Sequence, residues 1–358
     1  MDKLIEAIGR TDNPSVVGLD PQPQLLPRQL LESALSRAHG ELNEDSSQAE
    51  ISPLKSEQVW ARQLAQAYWR FNLAVLEGVG DLVPAVKVQI AMYEALGPAG
   101  LEAYVATCAA AQERGLYVIG DIKRGDIGST AAAYACHLSG LPLTYQQAQE
   151  ELEGVSEAPT PAQGNAQLSI SAWHEHAITV NPYLGSDGID PFVQAAQASD
   201  CDLFVLVRTS NPSSQQIQEL PVCDSSHRQE LYMRVGKLVE AWGQDTRGQS
   251  GYSRVGAVVG ATHPQAGAQL RAAMPSTFFL VPGFGAQGGS AADVAPMFDA
   301  RGSGAIVNSS RGIIAAWKQE GIEPSASVEA ALGQVASSAR QAAIRMKVQL
   351  QEALKERS

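Results

Sequence analysis

Charged side chains interrupt an apolar run near the middle of the sequence. Asp121 and Lys123 lie two residues apart, and Asp126 follows three residues after Lys123. Residues two apart on a β-strand point to the same side, so the pair faces a cavity if Ile119 and Ile122 take the opposite side. Burying charge on an apolar strand is costly. The pattern therefore favours a charged functional site over a purely structural ion-pair network.

Lys87 extends this charged set. It lies in the apolar segment AVKVQ (residues 85–89), which predicts the strand before the one that carries Asp121. Neighbouring strands lie roughly 5 Å apart, so we expect an alternating Lys-Asp-Lys-Asp array at one end of a sheet. Each carboxylate offsets a neighbouring ammonium group, which makes burial of both tolerable. A structural network that supports the rim of the fold is the alternative.

Three polar segments predict ligand contacts. VPGFGAQGG (residues 281–289) and NSSRG (residues 308–312) each follow an apolar run. Glycines let backbone N–H groups approach phosphate oxygens, and the Arg311 guanidinium adds a bidentate charge. Ordinary turns with a surface arginine are the alternative. RTSNP (residues 208–212) offers hydroxyl and amide groups that suit a polar heterocycle, or else a helix N-cap.

The elements that must position these groups alternate along the chain. Eight short apolar runs predict buried strands, at residues 15–20, 84–89, 116–123, 177–181, 203–208, 255–259, 278–281 and 304–308. The stretches between them predict helices, at residues 58–79, 97–114, 128–138, 190–197, 229–242, 264–273, 291–298 and 327–356. Buried strands flanked by helices are typical of a parallel sheet covered on both faces.

Eight such units predict an α/β fold, a (β/α)8 barrel in which residues 1–358 form a single domain. A doubly wound open sheet is the alternative, although the first strand is not followed by the GxGxxG motif of its dinucleotide-binding form. Barrels of this kind carry catalytic groups at the carboxyl ends of strands and often bind phosphate after strands seven and eight. Polar segments near residues 38–57 and 139–172 do not fit the alternation, and we interpret them as surface insertions without chemistry.

Composition and charge exclude several classes of protein. Apolar residues make up 44% of the 358 residues and charged residues 18%, which is enough for a sizeable core. The chain has 26 basic and 38 acidic side chains, and its formal charge of −12 disfavours a non-specific nucleic-acid binder. No apolar stretch in the sequence approaches the length of a membrane span, so no membrane partner is expected.

The cysteines and the N-terminal segment predict a cytoplasmic protein. The four cysteines include no CxxC pair, so the sequence predicts neither a zinc framework nor a disulfide scaffold. The segment MDKLIEAIGR is charged throughout and does not read as a signal peptide. The histidines, His137 among them, indicate no site. A protein of the reducing cytoplasm is therefore expected.

Taken together, the motifs of the sequence resemble those of a known family. GDIKRGDIGST (residues 120–130) resembles the DxKxxDI signature of orotidine 5′-phosphate decarboxylase. Six further segments occur in the family's order: VGLD (17–20), AVKVQ (85–89), TVNPYLG (179–185), VRTSNP (207–212), PGFG (282–285) and NSSRG (308–312). The combination is similar to the bacterial type 2 subfamily and spans about residues 10–320, apart from the two insertions.

The resemblance implies roles for the charged set. Lys123 would protonate C6 of the pyrimidine, and Asp121 would lie beside the departing carboxylate. Lys87 would complete the charge network and touch the ribose. Asp126, with Thr130 nearby, would enter the active site of a neighbouring subunit, which implies a homodimer.

The resemblance also implies the substrate contacts. Asp20 would bind a ribose hydroxyl, and Ser210 would bind the pyrimidine. Gln287 and Arg311 would bind the phosphate. The loop after the seventh strand lacks an additional arginine that type 1 enzymes carry there, so backbone N–H groups are expected to supply part of the phosphate contact.

The implied reaction converts orotidine 5′-phosphate to uridine 5′-phosphate, the last step of UMP synthesis, with no metal or other cofactor. The protein itself must then stabilise the carbanion left at C6, which a fixed ammonium does before it donates its proton. Two rival functions stay open. One is a Mg2+-dependent sugar-phosphate decarboxylase or an aldolase of the same superfamily, and the other is a non-catalytic barrel that binds a phosphorylated metabolite.

Overall fold

The computed structural model describes residues 1–45, 52–140, 152, 171–224 and 227–357. Its strands, in chain order, are β1 (Ser15–Leu19), β2 (Ala85–Gln89), β3 (Tyr117–Arg124), β4 (Ala177–Val180), β5 (Asp202–Arg208), β6 (Pro221–Asp224), β7 (His227–Glu230), β8 (Val255–Val259), β9 (Phe279–Pro282) and β10 (Ala305–Ser309). The strands β6 and β7 form an antiparallel hairpin. The other eight are parallel and form a closed barrel, in which β1 pairs with both β2 and β10.

Helices cover the outside of the barrel. In chain order they are α1 (Asp2–Thr11), α2 (Arg28–Asp45), α3 (Pro53–Val79), α4 (Ala91–Glu94), α5 (Gly97–Glu113), α6 (Gly128–Ser139), α7 (Ser186–Ala198), α8 (Gln215–Gln218), α9 (Leu231–Gly243), α10 (Pro264–Ala273), α11 (Ala291–Val294), α12 (Arg311–Ile314), α13 (Trp317–Glu320) and α14 (Val328–Arg357). The packing of α3 against α5 and α14 completes one side of this outer layer.

The strands are buried on both faces because apolar side chains pack against each face. An inner cluster fills the amino-terminal half of the barrel and includes Val16, Ile119, Phe204 and Ile306. Leu4 of α1 belongs to the same cluster, so α1 closes this end of the barrel. A larger cluster fills the space between strands and helices. The open space for a ligand is therefore left at the carboxyl ends of the strands.

The predicted eight strands and the barrel are confirmed, and the open-sheet alternative is wrong. Within the first predicted insertion, residues 38–45 complete α2 and α3 begins at Pro53. Ser52 caps α3 by accepting a hydrogen bond from the Lys55 N–H at 3.3 Å, and proline suits the first helical position. Most of the second predicted insertion lies outside the described residues, as do residues 46–51 of the first.

Two predictions around the outer elements need correction. The helix expected from residue 229 begins at Leu231, because Gln229 and Glu230 pair with the other strand of the hairpin. The helix α1 was not predicted at all, although its apolar residues face the barrel. Neither error changes where the strands end, and so the position of the site is unaffected.

Candidate active site

A cavity of about 490 Å³ opens at the carboxyl ends of the barrel strands. Six of the residues singled out in the sequence line it: Asp20, Lys87, Asp121, Lys123, Ser210 and Gln287. Arg311 lies beside it, in an adjoining cavity of about 90 Å³ that shares Asp20 and Gln287 with the larger one. The barrel thus brings together segments that are separated by almost the whole chain.

The carboxylate of Asp121 is the centre of the site. Its Oδ2 atom contacts the Lys87 ammonium and accepts a hydrogen bond from the Gln89 amide at 2.8 Å. Its Oδ1 atom lies 2.5 Å from Lys123 Nζ and accepts a hydrogen bond from the Thr179 hydroxyl at 2.8 Å. A carboxylate offers about four acceptor positions. These four donors therefore fix the orientation of Asp121.

The three charged side chains differ in exposure. The side chains of Asp121 and Lys87 are 4% and 8% exposed, whereas that of Lys123 is 45% exposed. Burial would raise the pKa of Asp121, but Lys87 and Lys123 outweigh burial and lower this pKa well below its usual range. Burial would lower the pKa of Lys87, but Asp121 and Asp20 outweigh it and raise this pKa. The carboxylate and the buried ammonium are both charged at neutral pH.

Strand geometry places Lys123 at the cavity, although one assumption about its neighbours is wrong. Ile119 lies in the inner cluster below Asp121, whereas Ile122 belongs to the outer core. Residues three apart on a strand cannot share a side, so the two isoleucines had to separate. Across the ladder, Asp121 stands opposite Gln89, and Lys87 stands opposite Ile119. The long Lys87 side chain reaches up the barrel to the carboxylate.

The loop after β5 carries the predicted heterocycle contact. Ser210 Oγ donates a hydrogen bond to Gln287 Oε1 at 2.9 Å, which joins this loop to the one after β9. Arg208, whose side chain is 1% exposed, anchors the loop by donating to Gln218 Oε1 at 3.1 Å. Asn211 precedes a 3-10 turn but makes no side-chain cap. Its position in the lining of the cavity supports the ligand-binding interpretation of the segment.

The glycine-rich loop after β9 turns back on itself beside Arg311. Gly283 has a φ of 102°, which a residue with a Cβ rarely adopts. The Gly289 N–H donates to the Gly283 carbonyl at 3.1 Å and closes the turn. Gly283, Gln287 and Arg311 all line the smaller cavity. A guanidinium and an amide around so small a space suit a phosphate group.

Two predicted site residues are not brought to this cavity. Asp126 is partly exposed, and its Oδ1 accepts a hydrogen bond from the Ile127 N–H at 2.8 Å. Thr130 is exposed in the first turns of α6. Of the acidic side chains in the described part of the chain, Asp121 alone forms an ion pair with Lys123. The fourth member of the expected Lys-Asp-Lys-Asp array is therefore missing from the site of a single chain.

Within the described ranges, no group of three or more His, Cys, Asp or Glu side chains is arranged to hold a metal ion. Among the same residues, no helix is both long and apolar enough to span a membrane.

The model of the orotidine 5′-phosphate decarboxylase / HUMPS family matches residues 65–143 and 161–323, which is more than half of the chain. The chain belongs to this family. The chain is 40% identical to the orotidine 5′-phosphate decarboxylase of Rhodopirellula baltica, over 89% of both chains. It is 35% identical to that of Caldicellulosiruptor saccharolyticus, over 88% of this chain and 90% of the relative.

A solved structure supports the same assignment. The OMP decarboxylase of Leishmania donovani is 27% identical and superposes with a TM-score of 0.63, over 99% of this chain and 98% of that one. The predicted resemblance to orotidine 5′-phosphate decarboxylases is therefore confirmed.

Sequence reasoning missed several polar groups of this decarboxylase-family site. Gln89 follows Lys87 by two residues on one strand, and this spacing alone could have identified it. Asn308 opens the NSSRG segment, and its buried Oδ1 has no hydrogen-bond partner among the described residues. The Oδ1 atom of Asp20, a residue that the sequence did predict, is also buried without a hydrogen-bond partner among the described residues. Unpaired buried oxygens are costly, so both are suited to a ligand that donates hydroxyl protons. Thr179 opens the TVNPYLG segment (179–185), but the sequence indicated no role for it.

A second cavity of about 460 Å³ lies between α2, α3 and the start of α5. Glu57 is the only ionisable residue in its described lining, which is otherwise mostly apolar and includes Trp60. It lacks the convergent charged groups that proton transfer or charge stabilisation requires. Size alone does not distinguish the two cavities, but chemistry assigns the family's reaction to the barrel mouth.

Proposed function

We propose that the chain decarboxylates orotidine 5′-phosphate to uridine 5′-phosphate without a cofactor, with Lys123 as the proton donor to C6. The observation that carries this proposal is the Lys87–Asp121–Lys123 network at the mouth of the barrel. The relative from Rhodopirellula baltica, 40% identical over 89% of both chains, bears the name of this activity. The family description also admits the HUMPS branch, so the substrate needs a direct test.

In the proposed reaction the bond between C6 and the substrate carboxylate breaks, and its electron pair stays on C6. The Lys123 ammonium stabilises this negative charge and transfers one proton to C6. The products are CO2 and uridine 5′-phosphate, and Lys123 regains its proton from solvent, to which its side chain is 45% exposed. Protons and charge balance without an added oxidant or reductant.

Asp121 has two tasks in this proposal. Its ion pair holds the Lys123 ammonium in place at 2.5 Å. Its other donors, Lys87 and Gln89, prevent it from turning away when the substrate carboxylate arrives. When neutral CO2 departs, the negative charge moves from the carboxylate beside Asp121 to C6, where the Lys123 ammonium stabilises it. Asp121 therefore favours the product side of the bond-breaking step without touching the proton.

Groups remote from C6 contribute binding energy to the reaction. Ser210 and Gln287 are joined by a hydrogen bond of 2.9 Å, and in this proposal they bind the pyrimidine and the phosphate. Arg311 adds charge for the phosphate, and Asp20 has an unpaired buried oxygen for a ribose hydroxyl. Binding energy gained at the phosphate and ribose can be realised at the reacting carbon.

A spectrophotometric assay of orotidine 5′-phosphate in metal-free buffer tests the proposal. We expect turnover by the unmutated protein, no change on addition of EDTA, and loss of at least about 1000-fold in Lys123→Ala, since proton donor and charge are both lost. Lys237→Ala, on the exposed face of α9, is the matched control and should retain full activity. Activity lost in EDTA would instead support the metal-dependent rival. Binding of uridine 5′-phosphate without turnover would support the non-catalytic one.

We propose further that the active enzyme is a homodimer in which Asp126 and Thr130 complete the partner's site. Both lie outside the cavity of their own chain, at the surface near β3 and α6. Two apolar side chains near Asp126 are exposed: Ile127, the next residue in the chain, at 52%, and Leu184, which lies with the Asp126 carbonyl beside Gly188, at 47%. An exposed apolar patch of this kind is suited to burial against a second subunit.

Mixing two inactive variants tests this shared site. Lys123→Ala and Asp126→Asn should each be inactive as homodimers. A mixed dimer has one site with both changes and one with neither, so equal mixing after subunit exchange should restore about a quarter of full activity. Light scattering should give twice the mass of one chain. A monomer that retains full activity, or mixing that restores nothing, would contradict the shared site.

We place the reaction in the cytoplasm. All four cysteines of the chain lie in the described part and carry free thiols, as the reducing cytoplasm favours. Alkylation of protein taken directly from cells checks this, because every cysteine should react after unfolding without prior reduction. Protected cysteines would contradict the proposed location.

A further inference from the structure

The pairing of β3 with β4 shifts beside the charged side chains of the site. The ladder is regular up to Gly120 and resumes at Arg124, while only Thr179 lies between the corresponding residues of β4. Residues 121–123 therefore bulge against Thr179 alone. Bulges near functional sites serve to redirect a side chain. Here the bulged segment contains both Asp121 and Lys123.

The bulge gives Lys123 an unusual backbone conformation. Its φ is 47°, in the left-handed region that is unfavourable for a residue with a Cβ. The Lys123 N–H donates a hydrogen bond to Thr179 Oγ1 at 3.0 Å. The same hydroxyl donates to Asp121 Oδ1 at 2.8 Å. One side chain of β4 thus takes the place of the interrupted ladder.

Charge fixes the direction of both hydrogen bonds. An ionised carboxylate only accepts and a backbone N–H only donates. The Thr179 hydroxyl must therefore give its proton to Asp121 and accept from Lys123. Thr179 is 1% exposed, so water does not compete for either bond. Each of the two hydrogen bonds of Thr179 can therefore run in only one direction.

We propose that Thr179 is a positioning residue for proton transfer, because its one hydroxyl holds the backbone of Lys123 and the carboxylate that pairs with its ammonium. This role rests on the proposed function of Lys123. The Lys123 side chain is long and 45% exposed, so its Nζ is placed chiefly by its backbone and by Asp121. Without the hydroxyl, both constraints relax together. A displacement of about 1 Å is enough to slow a reaction about 100-fold.

Three variants test the proposal in the assay with orotidine 5′-phosphate. Thr179→Val keeps the shape and removes both hydrogen bonds, and we expect kcat to fall by about 10- to 100-fold while KM stays within about threefold. Thr179→Ser keeps the hydroxyl and should retain kcat within about threefold. Thr277→Val is the matched control. Thr277 is also fully buried and donates to a carboxylate, Glu240, at 2.6 Å, but at the amino-terminal end of the barrel. Its kcat and KM should not change.

The possible outcomes separate the role of Thr179 from the proposed function. An unchanged kcat in Thr179→Val overturns the positioning role, and so does an equal loss in Thr179→Ser. If valine prevents folding, judged by circular dichroism, Thr179→Ala replaces it with the same expected loss and the same serine rescue. Turnover by the unmutated protein with no effect of either substitution rejects the role of Thr179 alone. No turnover by the unmutated protein rejects the proposed function, and the role of Thr179 with it.

Discussion

Two carboxylates that are buried at opposite ends of the barrel are stabilised differently. Asp121, at the carboxyl end, is 4% exposed and pairs with two ammonium groups. Asp202, at the amino-terminal end of β5, is 2% exposed and accepts a hydrogen bond from the Tyr117 hydroxyl at 2.5 Å. It also contacts the Met1 ammonium and lies 3.8 Å from the Arg254 guanidinium.

Similar burial leads to opposite pKa shifts. Burial raises the pKa of Asp202, and its partners do not overcome this effect. At Asp121, burial is outweighed by Lys87 and Lys123, and the pKa is lowered. Two cations face each carboxylate, so neither depth nor the number of cations alone decides the direction of the pKa shift. The carboxylate at the site end of the barrel is therefore harder to protonate than an ordinary aspartate, and the one at the closed end is easier to protonate.

The largest expected effect is that of Asp121→Asn. The change leaves the buried Lys87 ammonium without its carboxylate partner. Because an uncompensated buried charge is costly, the free energy of unfolding should fall by about 3–5 kcal/mol. Activity should fall below detection. Urea denaturation at pH 7 measures the first effect and the decarboxylation assay the second.

Asp202→Asn provides the control at the closed end. It leaves the buried Met1 ammonium without its carboxylate partner, so it should also lower the free energy of unfolding by about 3–5 kcal/mol, but it should leave kcat unchanged. If Asp121→Asn were more stable than the unmutated protein, Lys87 would not depend on that carboxylate. The contrast between the two ends would then be wrong.

A smaller effect is expected from Tyr117→Phe at the closed end. The phenol is the neutral donor to Asp202, and its loss should lower the free energy of unfolding by about 1–2 kcal/mol with kcat unchanged. Tyr68→Phe is the control, because Tyr68 is also a buried tyrosine but its hydroxyl donates to no carboxylate among the described residues, and it should change neither quantity. A fall in kcat in Tyr117→Phe would mean that the two ends of the barrel are coupled.

The sequence predicted those parts of the site that follow from spacing along one strand. The spacing of Asp121 and Lys123 predicted that both reach the cavity, and Lys87 joins them because its strand is adjacent. The buried, β-branched strands also made the barrel predictable. Local periodicity is enough for these features, since each depends on neighbours within a few residues.

Features that depend on register or on distant partners were not predictable. Thr179 contacts the bulge only because the register between β3 and β4 shifts there. In the sequence, Thr179 is 56 residues away from Lys123. His137 belongs to no recognisable motif, yet it is buried and its Nδ1 atom lies 2.8 Å from Glu175 Oε2. The Glu175 carboxylate packs against Gly120, where a Cβ added to the glycine would lie only 2.1 Å from Glu175 Oε1. No local pattern encodes a contact of this kind.

The smallest expected effect is a difference in pH dependence between the two ends. The lowered pKa of Asp121 gives stability that is complete above the unfolded value of about 3.9 and is lost as the pH falls through the lower folded value. The raised pKa of Asp202 acts in the opposite direction. Its contribution is complete below about pH 3.9 and is lost as the pH rises through the higher folded value.

The pH effect can be isolated by urea denaturation of the unmutated protein and Asp202→Asn between pH 4 and pH 7. The asparagine side chain does not titrate, so the stability advantage of the unmutated protein over the variant should narrow as the pH rises. An advantage that widened instead would mean that the Met1 ammonium and Arg254 outweigh burial at Asp202. The closed end would then hold its carboxylate ionised just as the site does, and cations rather than neutral donors would govern both ends of the barrel.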